Sequence, residues 1–203
     1  MKKTLALVLA LIMAFSLSAC GRKSPFASRA EIEAKLTNYK IAIEFTDEAG
    51  NKTKMTELRC DKGYIWIIGD TLLYIEYGTG KQYTLYRENK SGIAVKLDDE
   101  ESYKTFSAAV SSYLFFHNLY IKQDLTNAGS EKVAGRKTNC YTFKTGDFEN
   151  KFWVDDKYGI TMKYIVKTEA LSGTMEIKEF KAGGVKLTDM VNLSDYAITD
   201  LTE

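Results

Sequence analysis

Proline is almost missing from this chain. Pro25 is the only one, so every turn after it must be made by glycine, asparagine and aspartate. Histidine is as scarce. His117 stands alone among Phe115, Phe116 and Leu119, which excludes a cluster of histidine metal ligands and reads as packing or a polar group in a pocket. No G-x-S-x-G elbow occurs, and Gly78-Thr79-Gly80-Lys81 has the wrong spacing for a phosphate loop and reads as a hairpin turn. The expectation is therefore a protein without catalytic groups, metal or cofactor. Neither sign of charge prevails, with 28 basic and 27 acidic residues, so nothing calls for a nucleic-acid partner. There are only three cysteines, too few for a disulfide framework.

The apolar run over 5–17 follows Lys2 and Lys3 and is too short to span a bilayer. Leu17-Ser18-Ala19-Cys20 closes it with small residues and a thiol, a signal-peptide cleavage site that resembles the lipobox of bacterial lipoproteins. By that resemblance Cys20 is lipidated and becomes the first mature residue, and the protein is exported and anchored to the outer face of a bacterial membrane. Removing 1–19 takes two lysines and no acid, leaving 26 basic and 27 acidic residues. The organisation expected is a signal peptide over 1–19, a tether over 20–30 and one domain over 31–203. Cys60 and Cys140 remain. They either pair, closing a loop worth roughly 4 kcal/mol of chain entropy, or stand as two buried thiols on different strands.

What the chain does have is aromatic and β-branched residues in alternation. Ser28-Arg29-Ala30-Glu31 has the form of a capping box, and Ile32 and Leu36 give the short helix that follows an apolar side. Tyr39, Ile41, Ile43 and Phe45 then alternate with polar residues, and runs over 55–60, 64–68, 72–77, 82–87 and 93–97 follow across short Gly, Asn and Asp turns. Neighbours in sequence should be antiparallel neighbours in space. Asp98-Asp99-Glu100-Glu101 reads as the start of a helix over 100–123, with Phe106, Val110, Tyr113, His117 and Ile121 at helical spacing. Asn127-Ala128-Gly129 should end it. Strands are expected over 133–144, 151–155, 159–168 and 174–180, with a polar C-terminal segment adding an edge strand. Asp155 and Asp156 sit where acids commonly bond a turn backbone.

The second half carries a more specific order. Val133-Ala134-Gly135-Arg136 is followed by Cys140-Tyr141-Thr142-Phe143, by Phe152-Trp153-Val154-Asp155, and by Tyr158-Gly159-Ile160 with Lys163. It resembles the LolA/LolB-like and LppX/LprG-like bacterial lipoprotein carriers and lipid-binding lipoproteins. The resemblance implies an α+β, mostly β fold: an unclosed antiparallel β-barrel of about eleven strands, with helices plugging its open side. It also implies an apolar cavity that takes a lipid or the acyl chains of a lipoprotein, in envelope lipid or lipoprotein trafficking. Ile41, Ile43, Trp66, Ile68, Leu73 and Ile75 are expected to line it. Tyr83 and Leu85 should join them from the sheet, and Phe106, Val110 and Tyr113 from the helix. The alternative is an envelope interaction or sensory lipoprotein that holds a protein partner on the curved sheet.

Overall fold

The computed structural model describes residues 29–97, 124–167 and 172–202. Short turns set the architecture. The first helix, α1 (Arg29–Lys35), leads into six strands joined by tight hairpins. These are β1 (Tyr39–Asp47), β2 (Lys52–Cys60), β3 (Gly63–Ile68), β4 (Thr71–Glu76), β5 (Lys81–Tyr86) and β6 (Ser91–Lys96). A second meander holds β7 (Thr126–Val133), β8 (Arg136–Thr145), β9 (Phe148–Asp155), β10 (Thr161–Lys167) and β11 (Ser172–Ala182). Two single 3-10 turns (Leu187–Asp189 and Leu193–Asp195) and β12 (Ala197–Asp200) end the described chain. All twelve strands belong to one unclosed, curved sheet, in the order β12-β6-β5-β4-β3-β2-β1-β11-β10-β9-β8-β7.

The two meanders meet where β1 pairs with β11, with one bulge beside Ala42 and Ile43. The C-terminal edge strand expected from the sequence is β12, which pairs in parallel with β6, and β7 is the strand that brings the expected eleven or so to twelve. Two sequence expectations fail nearby. Asn127-Ala128-Gly129 does not terminate a helix but lies inside β7, where the Asn127 side chain accepts a hydrogen bond from Gly129 N–H (2.8 Å) and the register slips. The strand expected over 133–144 is broken by a two-residue hairpin, Ala134-Gly135, both with positive φ (48° and 76°). The helix expected over 100–123 and residues 1–28 lie outside the described residues.

Across an antiparallel pair, residues directly opposite share a face, so the register sorts every strand residue. One face carries Tyr39, Ile41, Ile43 and Phe45 of β1 with Met55 and Glu57 of β2. On the other side of β1 it continues through Ile177 and Met175 to Tyr164, Phe152 and Tyr141. Met55 and Phe143 belong to the same apolar cluster although β2 and β8 are five strands apart, so this face lies inside the curve. The helix α1 seals one end of it with Ile32 and Leu36, both buried.

The outer face has two parts. Over β1, β10 and β11 it bears ion pairs such as Lys52–Glu44 (3.0 Å) and Lys178–Glu176 (2.9 Å), an ordinary solvated surface. Over β2 to β6 it is apolar, and the C-terminal segment lies across it. That segment turns away from β11 at Gly183 and Gly184 and is pinned by Asn38. The Asn38 amide donates to Val185 O (3.0 Å) and accepts from Val185 N–H (2.9 Å). Val185, Leu187, Val191, Leu193 and Ile198 then pack on Leu58, Ile65, Leu72 and Leu85.

The motif residues of the second half hold a corner. Arg136 donates to both carboxylate oxygens of buried Asp155 (2.6 and 3.0 Å), and its guanidinium lies over the Tyr158 and Phe180 rings. Asp155 also accepts from the N–H groups of Lys157 and Tyr158 (3.0 and 2.7 Å), as expected for an acid at this turn. Every member is satisfied, so this network shapes the β9–β10 turn and leaves no group free for chemistry.

Candidate binding site on the inner face

Register places the expected lining residues in rows. Ile41 stands opposite Glu57, Glu57 opposite Trp66, and Trp66 opposite Leu73. The next row runs Ile43, Met55, Ile68, and the row before it Tyr39, Arg59, Tyr64, Ile75. Ile41, Ile43, Trp66, Ile68, Leu73 and Ile75 therefore share the inner face. Most are buried, but Trp66 and Ile68 are only partly so.

Tyr83 and Leu85 do not belong there. Tyr83 is opposite Tyr74 and Leu85 opposite Leu72, which places both on the outer face beneath the C-terminal segment. Each strand had the right alternation, but the two-residue phase across the β4–β5 turn assigns these side chains to the other side. Phe106, Val110, Tyr113, His117 and the lipidation residue Cys20 lie outside the described residues. Cys60 and Cys140 are both buried free thiols, which corrects the pairing alternative.

The inner face holds one ionisable cluster that the sequence reading passed over. Glu57 is 1% exposed. The Tyr39 hydroxyl donates to its Oε1. The Tyr64 hydroxyl stands close enough to act on the carboxyl, yet neither it nor Oε2 of Glu57 closes a hydrogen bond. Burial pushes the Glu57 carboxyl up to about 7; the two hydroxyls and the Arg59 charge pull the other way without offsetting it. Burial likewise raises Tyr39 and Tyr64 well above the usual phenol value, and the Glu57 charge adds to both. A signal for this site was present in the sequence. Met55 and Leu58 are three apart in a strand, so they face opposite ways, and Glu57 must share the face of Met55.

An open hollow of about 500 Å³ lies at the far ends of β2 and β3, where β2 outruns its partner. It touches Ile68 of the inner face, and its rim carries Lys52, Lys54 and Arg87. Among the described residues no three His, Cys, Asp or Glu side chains gather as a metal site, and no helix is long and apolar enough to cross a membrane.

No protein-family model matches the chain, and no curated protein matches it in sequence. Solved structures of similar fold include an uncharacterized conserved protein from Thermus thermophilus, 8% identical over 84% of this chain and 95% of that one (TM-score 0.48). MucB in the Pseudomonas aeruginosa MucA/MucB complex is 13% identical over 79% of this chain and 57% of its own, so this chain spans little more than half of it (TM-score 0.44). The Mycobacterium tuberculosis lipoprotein LppX is 10% identical over 78% of this chain and 93% of that one (TM-score 0.43).

Proposed function

We propose that this protein is an exported lipoprotein, held to a bacterial membrane by lipid on Cys20, that binds a lipid or the acyl chains of a lipoprotein on the inner face of its sheet. It needs no catalytic group for that task. The observation that carries this reading is the row of apolar side chains inside the curve, with Trp66 and Ile68 left partly uncovered beside buried Ile41 and Ile43. Each methylene moved out of water gains about 0.8 kcal/mol, so a face of this kind suits an acyl chain.

The test is mass spectrometry of an organic extract from protein purified without its anchor, paired with titration of a fluorescent fatty-acyl probe. Co-purified lipid and probe binding that weakens roughly tenfold in Trp66→Ala support the reading. No extracted lipid together with no probe binding sinks it.

A second reading, a protein partner held by the sheet, is favoured by one observation. β7 is exposed from Thr126 to Lys132 and, among the described residues, pairs only with β8, so its outer edge can accept another strand. Crosslinking in cells would then recover one dominant protein, still bound after Ile43→Asp.

A further inference from the structure

We infer that the hollow at the far ends of β2 and β3 is an anion site for a phosphate ester, either the head group of a lipid or a soluble ester. It meets the expected inner-face lining only at Ile68 and does not depend on an acyl chain being bound there.

The strands make the hollow by ending at different places. β3 pairs with β2 only as far as Met55 and Ile68, while β2 continues along β1 to Lys52. In an antiparallel strand, successive residues turn their backbone N–H and C=O to alternate sides. Of Lys52, Thr53 and Lys54, at least one therefore points its N–H away from β1, toward the gap that β3 leaves. Gly69 borders that gap without a side chain, and a Cβ built on it would meet nothing within 4 Å. The volume is about 500 Å³, room for a phosphate and the group it carries.

Charge then decides what fits. Lys52 and Lys54 leave β2 on the face of Thr56, and Arg87 follows the end of β5. All three line the hollow with the hydroxyls of Thr53 and Thr56, and no acid lines it among the described residues. The acids beside it face other partners. Glu44, opposite Lys54 on β1, is held by Lys52 (3.0 Å), with Lys178 at 3.9 Å. An oxygen of Asp70 accepts from the Glu88 N–H (2.5 Å). Lys54 and Arg87 are exposed and close no ion pair among the described residues. A guest must therefore bring negative charge and several acceptor oxygens. A phosphate does, since lysine meets it as a point charge and arginine as a fork. A cationic group would meet like charge. Ile67 and Ile68 offer the carbon part of the ester an apolar surface.

The test uses the full chain carrying Cys20→Ser, which has no lipid of its own, at low ionic strength. Glycerol phosphate and acetate are titrated by calorimetry. Flotation is measured with vesicles of phosphatidylcholine and phosphatidylglycerol in equal parts. Glycerol phosphate should saturate the site and bind roughly tenfold more tightly than acetate. Lys54→Gln combined with Arg87→Gln should weaken it roughly tenfold. Lys62→Gln combined with Lys132→Gln, at the opposite end of the strands, should leave it unchanged. All four side chains are exposed, so the variants keep the fold. If the guest is a lipid head group, the vesicles carry the parent protein and leave the Lys54 and Arg87 variant behind. If it is a soluble ester, glycerol phosphate binds and the vesicles do not. Both results support the site. Binding of neither glycerol phosphate nor vesicles overturns it, and so does acetate binding equally well. An equal loss in the two double variants overturns it too, as attraction to net charge alone. Acyl-probe binding is a separate readout, and its failure would strike the lipid reading without touching this one.

Discussion

β3 and β4 are apolar on both faces, and the two faces are finished differently. Outside, Ile65, Leu72 and Tyr74 lie under the chain's own C-terminal segment, with Tyr74 stacked on Tyr83 at 5.3 Å between centroids. Inside, the same strands present Tyr64, Trp66, Ile68 and Leu73, with a buried carboxyl from β2 among them. Both of the unpartnered buried side-chain atoms among the described residues are on this inner side. A face that is only core has no use for a desolvated carboxyl, which is normally less stable there than an apolar side chain of its size. The outer face of this half of the sheet is therefore closed by the chain itself, while the inner face carries a desolvated carboxyl that costs stability.

The sharpest way to break that contrast is to hollow out the outer face. Leu85 is fully buried under the C-terminal segment, and Leu85→Ala should lower unfolding stability by about 2–5 kcal/mol in urea titrations. Acyl-probe affinity measured below the transition should not change. If affinity falls with stability, the two faces are not separate.

The next effect is one of pH. Glu57 has a folded-state value of about 7, above the ordinary 4.5, so the stability from holding it neutral is full below pH 4.5 and is lost as pH rises through 7. The size is about 3 kcal/mol at the conversion of 1.36 kcal/mol per unit. The groups that face it leave this window clear. Burial moves Tyr39 and Tyr64 upward, away from this window. Glu44, Asp47, Glu149 and Asp200 are held below their usual values by hydrogen bonds and nearby lysines or turn amides, so their contributions disappear only in acid. Urea midpoints should fall between pH 5 and pH 8 in the parent protein and stay level in Glu57→Gln. A parent protein equally stable at both values would mean that the carboxyl is solvated.

The same contrast explains what could be read in the sequence. Both meanders were legible, because Gly, Asn and Asp turns joined runs of period 2 and hairpins pair neighbours. The shared face of the six residues from Ile41 to Ile75 follows from alternation within each strand. Face assignment across β4 and β5 was not legible, since the phase depends on how many residues the Gly78–Gly80 turn takes, and so Tyr83 and Leu85 were set on the wrong side. The β1–β11 junction and the parallel β12 rest on contacts more than a hundred residues apart, which no local period encodes. Gly129 misled because asparagine and glycine suit a helix end and a bulged strand equally well. Alternation within β2 puts Glu57 on the face of Met55, but only the register shows that its cross-strand neighbours there are Ile41 and Trp66.

The smallest effect comes from the outer face at a point where it has no side chain. Gly63 pairs with Cys60 and Glu76 on the outer side of β3, and a Cβ there would run into the carbonyl oxygen of Ile75. It would also meet the Tyr74 ring at 2.9 Å and Leu187 of the C-terminal segment at 3.3 Å. Gly63→Ala should therefore cost about 1–2 kcal/mol, overpacking set against the smaller entropy of the unfolded chain. Part of that belongs to the β3–β4 ladder and part to the covering segment, and a double-mutant cycle with Leu187→Ala separates them. If the segment rests on β3, Leu187→Ala should cost less in the Gly63→Ala background than in the parent, because the methyl has already lifted Leu187. Strict additivity would mean that the segment does not press on this strand. The outer face would then be as open to a guest as the inner one, and the distinction between core and site would fail at its simplest point.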